Sequence, residues 1–161
     1  MPVTDVTPDL ENRTLTITTD FAAPVERVFA VYADPRQLER VWGPPTFPAT
    51  VVDHDLVPGG RMNYFMTGPA GEIFHGCWLV ETVDAPRGFG FDDAFTDESF
   101  TVNPDLPVSK NVFTFAAHDG GTRATYVSTY ASAEDLQQVL DMGVVEGASG
   151  AINQIDTLLA A

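Results

Sequence analysis

The sequence predicts an α+β fold in which a curved antiparallel sheet of seven strands surrounds one long C-terminal helix, with two short helices after strand one. Three observations support this prediction. A segment of alternating polar and apolar residues is followed directly by two short helical patterns. Strand-like segments separated by turn residues fill the middle of the chain, and apolar residues at helical spacing fill its end. A bent sheet around one helix accommodates this order of elements.

The first strand is expected at residues 14–21, where apolar and β-branched residues alternate with polar ones. Two helices follow it. Pro24 suits a helix start, and apolar residues at spacings of three and four then form one face up to residue 32. The second helix covers residues 35–41 and ends before Gly43-Pro44-Pro45, which cannot continue it. Residues 1–12 are expected to be a flexible or extended segment.

The middle of the chain is divided by turn-forming groups such as Pro58-Gly59-Gly60 and Asp119-Gly120-Gly121. Such groups connect neighbouring antiparallel strands, so they predict a meander. Six further strands are expected, at residues 50–57, 61–67, 72–84, 89–95, 110–118 and 122–131.

One long amphipathic helix is expected at residues 132–159, with Ser132 as its N-cap. Gly143, Gly147 and Gly150 lie within it, although each costs about 1 kcal/mol relative to Ala in a helix interior. Two interpretations remain open. The glycines allow close packing of the helix on the sheet, or they provide space or flexibility beneath it.

The composition indicates a single packed domain spanning residues 1–161 and excludes some partners. Apolar residues make up 44% of the chain, and a net charge of −15 leaves no basic patch for nucleic acid. The lone Cys77 forms no internal disulfide, and there is neither an apolar run of membrane-spanning length nor a signal-peptide pattern. We therefore expect a cytoplasmic protein that does not insert into membranes and whose small-molecule partners are neutral, apolar or cationic.

Several short motifs occur in an order that resembles a known family. They are Ala23-Pro24-Val25-Glu26-Arg27-Val28-Phe29, Trp42-Gly43-Pro44, Pro58-Gly59-Gly60-Arg61, Phe74-His75-Gly76 and the glycine-bearing helix around Gly143 and Gly147. Together they cover nearly the whole chain. The sequence resembles the START-like, or SRPBCC, superfamily, in the branch related to the C-terminal domain of the activator of the heat-shock-protein ATPase and to calicheamicin-resistance-like proteins. This resemblance implies the helix-grip fold.

The resemblance also implies a deep apolar pocket between the long helix and the sheet, for a lipid-, polyketide- or aromatic-like molecule. Many relatives have a bulky aromatic residue where this sequence has Ala148, so that replacement is expected to enlarge the pocket. Trp42 and Phe47 are expected near its opening, and the loop at 103–109 is expected to help control access. The candidate ligand-binding residues are Trp42, Phe47, Met62, Tyr64, Trp78, Phe91, Phe95, Phe113, Tyr126, Tyr130, Leu140, Val144 and Ala148.

The sequence contains no recognisable catalytic motif, and we predict no cofactor, no metal and no catalytic residue. His75 and Cys77 lie two apart on a strand but lack the further ligands of a zinc site. The acidic residues Asp92, Asp93, Asp97 and Glu98 lack the spacing of a calcium loop. Arg61 and Glu81 are possible polar groups of the pocket wall, with a surface salt bridge as the alternative.

Three functions remain open at this stage. The first is non-catalytic binding of a hydrophobic small molecule, which an open apolar pocket would favour. The second is a protein-interaction module that regulates a chaperone ATPase, which a filled interior and an exposed apolar patch would favour. The third is a cyclase- or hydrolase-type enzyme, in which a Tyr, His or Arg of the pocket performs acid–base work; His54 or His75 in the pocket near a carboxylate would favour it. The sheet edges and the loop at 103–109 are the expected places for a homodimer contact.

Overall fold

A single antiparallel sheet dominates the computed structural model, which describes residues 3–160. The strands are β1 (Val3–Asp9), β2 (Thr14–Phe21), β3 (Ala49–His54), β4 (Arg61–Thr67), β5 (Ile73–Asp84), β6 (Gly88–Thr96), β7 (Ser109–His118) and β8 (Gly121–Thr129). The helices are α1 (Val25–Ala33), α2 (Pro35–Val41), α3 (Ala133–Asp141) and α4 (Val144–Ala160). The strand order is β1-β2-β8-β7-β6-β5-β4-β3, so β1 and β3 form the two edges. The predicted α+β class is confirmed.

The prediction of seven strands is wrong, because the sheet has eight. The additional strand is β1, which lies within the segment expected to be flexible or extended and pairs with β2. Its sequence does not alternate as a half-buried strand does, since Val3 and Val6 are partly buried and a bulge lies between Val3 and Asp5. Backbone pairing at an edge, rather than a buried side-chain face, therefore forms this strand. Residues 1 and 2 of the predicted segment lie outside the described residues.

The prediction of one continuous C-terminal helix is also wrong. Ser132 caps α3 as expected, since its side chain accepts a hydrogen bond from the Asp135 backbone amide at 3.0 Å. However, α3 ends at Asp141, and Gly143 has a φ of +87° before α4 begins at Val144. This left-handed conformation is one that glycine adopts without the steric cost that a side chain imposes. Gly143 thus separates two helices.

The helices cover different parts of one face of the sheet. Tyr32 of α1 packs against the rings of Phe89, Phe113 and Phe115, at centroid distances of 5.6 to 5.7 Å. The ring of Trp42, directly after α2, packs against the ring of Trp78 at a centroid distance of 4.8 Å. Ile152, Ile155 and Leu158 of α4 belong to the same apolar core. The face under α1 and α2 is therefore filled with aromatic rings, whereas α4 covers the part that remains.

Gly143 and Gly147 provide a matched test of the break between α3 and α4. Gly143→Ala should lower the free energy of unfolding by about 1 kcal/mol, because it places a side chain at positive φ. Gly147→Ala should raise it by about 0.5–1 kcal/mol, because a Cβ at that helical position meets no atom within 4 Å. Urea unfolding of both variants measures the difference, and changes of the same sign would contradict the break at Gly143.

Candidate functional site

A cavity of about 270 Å³ lies between α4 and the covered face of the sheet and is partly open to solvent. Leu15 and Ile17 of β2 line it, and so do Tyr64 and Met66 of β4. These two strands are five steps apart in the sheet order, which is about 24 Å in a flat sheet at ~4.8 Å per step. Residues so far apart can line one small cavity because the sheet curves around α4. The predicted curvature is therefore supported by the lining of the cavity.

Three small residues of α4 border this space, namely Gly147, Ala148 and Ala151. Val144 and Ile152 complete the helical side of the cavity. A Cβ placed on Gly147 would meet no atom within 4 Å, so this glycine borders open space. Gly150 differs, because a Cβ there would contact Pro45 at 3.6 Å and Pro44 at 3.8 Å. The two interpretations of the helix glycines thus apply to different positions: Gly147 borders space, and Gly150 packs closely on the loop after α2.

A carboxyl group lies in this mostly apolar wall. The Tyr64 hydroxyl donates a hydrogen bond to Asp93 Oδ1 at 2.9 Å, and both residues line the cavity. Tyr64 reaches Asp93 on β6 by crossing β5, where its partner in the register is Gly76. A Cβ on Gly76 would lie 2.5 Å from the Tyr64 hydroxyl oxygen. Glycine at this position therefore allows the tyrosine ring to lie across the strand and bind the carboxyl group.

A second polar group on β7 and β8 satisfies its own hydrogen bonds. Asn111 Nδ2 donates to Ser109 Oγ at 2.9 Å, and Ser128 Oγ donates to Asn111 Oδ1 at 2.6 Å. Ser109 also interacts with the Tyr130 hydroxyl. All four residues line the cavity. Their side chains form one connected patch beside Asp93, whose register partner on β7 is Ser109.

Burial changes the acid–base properties of these groups. Removal from water raises the pKa of Asp93 to about 7, and the hydrogen bond from Tyr64 only partly opposes this shift. Burial also raises the pKa of Tyr64 well above its ordinary value, and the nearby Asp93 charge adds to the effect. Burial raises the pKa of Tyr130 to about 12. At neutral pH the tyrosines are therefore uncharged, while Asp93 exchanges between its two protonation states.

The structure brings together part of the predicted ligand-binding set. The cavity is lined by Trp42, Tyr64, Phe113, Tyr126, Tyr130, Val144 and Ala148. Phe95 lines an adjoining cavity of about 90 Å³ that shares Tyr64, Asp93 and Tyr130 with the larger one. Ala148 is one of the residues that form the cavity wall.

The other predicted residues lie elsewhere. Met62, Trp78 and Phe91 share the inner face of the sheet but are completely or almost completely buried in the apolar core, where Trp42 packs against Trp78 and Phe91. Leu140 packs in a separate small cluster around Leu136. Phe47 contacts Phe74 of β5 and is not among the residues that line the cavity. Alternation along a strand identifies the inner face, but it does not tell which helix covers each part of that face.

Asp93 is the principal residue that sequence analysis missed, because it was grouped with an acidic cluster. The signal is present in β6, where Phe89, Phe91, Asp93 and Phe95 alternate on one face. Asp92 points to the opposite face and accepts a hydrogen bond from Lys110 at 3.1 Å. The acidic cluster is therefore divided between two sides of the sheet. Within residues 3–160, no group of three or more His, Cys, Asp or Glu side chains could hold a metal ion.

The other polar candidates lie outside the cavity. His54 Nε2 lies 2.6 Å from the carbonyl oxygen of Tyr32, and burial lowers the pKa of this histidine. The His75 ring packs against Phe65 and Phe100. Arg61 donates to a backbone carbonyl oxygen, and Glu81 forms an exposed salt bridge with Lys110. The surface alternative therefore holds for Glu81. No helix in the described part of the chain is long and apolar enough to cross a membrane.

The raised pKa of Asp93 predicts a specific effect of pH on stability. The folded protein binds this proton more tightly than the unfolded chain, whose carboxyl has the ordinary value of 3.8. Stability therefore falls as pH rises from about 4 to about 7. Asp93→Asn removes this titration and keeps an oxygen that accepts from Tyr64. The free energy of unfolding of Asp93→Asn minus that of wild type should therefore increase by about 2–4 kcal/mol between pH 4 and pH 7. Urea unfolding at a series of pH values measures this difference.

Asp92→Asn is the matched control, because it removes the same charge from the neighbouring residue on the outer face. Its stability difference from wild type should vary far less over the same pH range. Equal pH dependence in the two variants would contradict the raised pKa of Asp93.

Comparisons with solved structures identify close relatives. Protein Ms6760 from Mycobacterium smegmatis is 70% identical, with 98% of this chain and 97% of that chain covered and a TM-score of 0.91. A protein from Arthrobacter aurescens is 42% identical, with 98% and 92% covered and a TM-score of 0.94. CalU16 from Micromonospora echinospora is 16% identical, with 89% and 74% covered and a TM-score of 0.60, which is a likeness of fold alone. No curated protein matches the sequence.

The predicted family resemblance is confirmed. The family model described as Activator of Hsp90 ATPase homolog 1-like protein matches residues 22–160, which is most of the chain. The chain therefore belongs to the Activator of Hsp90 ATPase homolog 1-like family and has the helix-grip fold of the START-like, or SRPBCC, superfamily.

Proposed function

We propose that this protein binds a hydrophobic small molecule, of a lipid-, polyketide- or aromatic-like kind, in the cavity between α4 and the sheet. The observation that carries this proposal is a partly open cavity of about 270 Å³ with a mostly apolar wall. Ligand sites are typically concave and apolar with a few placed polar groups. The Tyr64–Asp93 pair and the patch around Asn111 are such groups in this cavity.

The cavity volume limits the size of the ligand. An apolar protein cavity of about 150 Å³ accepts benzene, and pockets for larger ligands begin near 300 Å³. A cavity of about 270 Å³ therefore suits a fused two-ring system or an apolar chain of similar volume. The net charge of −15 also disfavours anionic molecules.

Two loops are placed to control access to the cavity. Trp42 and Pro44, from the loop after α2, line the main cavity, and Pro107, from the loop before β7, lines the adjoining one. Proline limits the conformations of both loops, so they can hold a defined opening. We assign control of access to these two segments.

The other two functions have less support. A protein-interaction module was expected to have a filled interior, and the cavity favours ligand binding instead. The enzyme hypothesis would be favoured by His54 or His75 in the cavity, and neither of them lines it. We place ligand binding in the cytoplasm, consistent with the single buried thiol of Cys77. A homodimer or a protein partner is not needed for this proposal.

Ala148→Trp tests the proposed site. The indole ring would occupy the space beside Ala148, so binding of a hydrophobic fluorescent dye should weaken at least about tenfold in a titration. The free energy of unfolding should change by less than the roughly 1–3 kcal/mol that overpacking of a filled core costs. A decrease in the free energy of unfolding of that size would instead indicate a packed interior.

Thr157→Trp is the control, because it adds the same ring at an exposed position of the same helix. Dye binding to this variant should equal that of wild type. If Ala148→Trp and Thr157→Trp behave alike in the dye titration, the cavity is not the binding site.

A further inference from the structure

We infer that the ligand of this cavity carries a hydroxyl group that donates its proton in a hydrogen bond to the Asp93 carboxylate. The inference rests on the proposed function and specifies the ligand chemistry. Asp93 is the one Asp or Glu among the described residues that line the cavity. A carboxylate has about four acceptor positions on its two oxygens. In the described part of the chain, its only hydrogen-bond donor is the Tyr64 hydroxyl, at Oδ1.

The side-chain donors of Asn111 and Ser128 are committed to other acceptors. The Asn111 amide donates to Ser109 Oγ and also to the Ser109 carbonyl oxygen, and the Ser128 hydroxyl donates to Asn111. These protons satisfy the patch on β7 and β8 and leave the remaining acceptor capacity of Asp93 unmet. Asp93 is half-buried in a mostly apolar wall, so a donor that arrives with the ligand can use its free acceptor positions.

No basic side chain lies in the cavity wall described by the structure. Arg61 donates to the carbonyl oxygen of Phe100 at 2.7 Å, on the exposed side of the sheet. Lys110 pairs with Glu81 and Asp92, also on that side. Asp93 therefore has no positive partner inside the cavity. No side chain of the described cavity wall neutralises the Asp93 charge.

The chemistry of the wall distinguishes among ligand groups. A ligand carboxylate would meet the Asp93 charge and the overall negative field of the protein. An ether or a ketone offers another acceptor and no proton. A charged amine would leave water for a mostly apolar cavity, which costs more than the transfer of a hydroxyl. A phenol or an alcohol on an apolar body is the group that supplies a proton at the lowest desolvation cost.

The geometry around Asp93 supports recognition in a fixed place. Tyr64 lies across Gly76 and holds Oδ1, so rotation of the carboxyl group is restricted. The buried tyrosines of the wall stay uncharged at pH 8, whereas Asp93, with a pKa of about 7, is mainly ionised. The test is therefore best made at pH 8, where the acceptor is present and the neighbouring groups are neutral.

Five naphthalene derivatives separate the ligand groups on one two-ring body. They are naphthalene, 2-naphthol, 2-methoxynaphthalene, 2-naphthoate and 2-naphthylmethylamine. Their dissociation constants are measured by fluorescence titration with the wild-type chain. The expected result is that 2-naphthol binds at least about tenfold more tightly than 2-methoxynaphthalene, which corresponds to the lower end of a hydrogen bond to a charged group. The naphthoate should bind most weakly.

Asp93→Leu removes the acceptor and keeps a side chain of similar size. It should abolish the preference for 2-naphthol while naphthalene binds as well as before. Because this variant leaves the Tyr64 hydroxyl without its acceptor, the double variant Asp93→Leu/Tyr64→Phe is measured as well. Asp92→Asn, which removes a charge on the outer face, should keep the wild-type preference.

The outcomes separate the two proposals. If naphthalene binds wild type but the hydroxyl gives no preference, or if the preference survives in the double variant, the Asp93 inference is wrong and the cavity proposal stands. Tighter binding of the amine or the naphthoate than of 2-naphthol also overturns the inference. If none of the five probes and no hydrophobic dye binds, the proposed function fails and the inference fails with it.

Discussion

The curvature of the sheet around a single helix is the constraint on which the other features depend. β2 and β4 line the same cavity, although they are five steps apart in the sheet order. The concave face that results is too large for the helices to fill. Aromatic rings pack under α1 and α2, and α4 presents Gly147, Ala148 and Ala151 to the remainder. The cavity exists because the residues opposite the sheet are small at this place, not because the core is poorly packed elsewhere.

Within this cavity, local backbone structure determines an electrostatic feature. Gly76 has no side chain, so Tyr64 can cross β5 and donate to Asp93 on β6. The hydrogen bond stabilises the charged form of the carboxyl group but does not offset its loss of water, because the pKa remains near 7. Asp93 therefore reduces stability at neutral pH. A residue that costs stability and lies in a cavity is a candidate for a functional role, whereas an apolar residue there would be explained by packing alone.

The sequence predicted the parts of the fold that depend on local patterns. The bounds of β2, α2 and β4 agree with their predicted ranges, because alternation or Pro and Gly define these elements. The strand β1 was missed because edge pairing needs no amphipathic pattern. The helix was predicted as continuous because Gly143 can occur inside a helix or outside it, and a positive φ is not visible in the sequence. Likewise, alternation placed Trp78 and Phe91 on the inner face but could not show that Trp42 packs against them.

The same limit explains why Asp93 was missed in the sequence. In a chain with 23 acidic residues, one more carboxylate is not distinctive, and adjacent acids are usually read as a solvated surface. The position becomes informative when the alternation of β6 is applied, since Asp93 shares a face with Phe89 and Phe91 while Asp92 meets Lys110 outside. The outer charges repel anions, and the inner carboxyl group favours a donor. Both effects disfavour an anion, and the mostly apolar wall favours an uncharged molecule that donates a hydrogen bond.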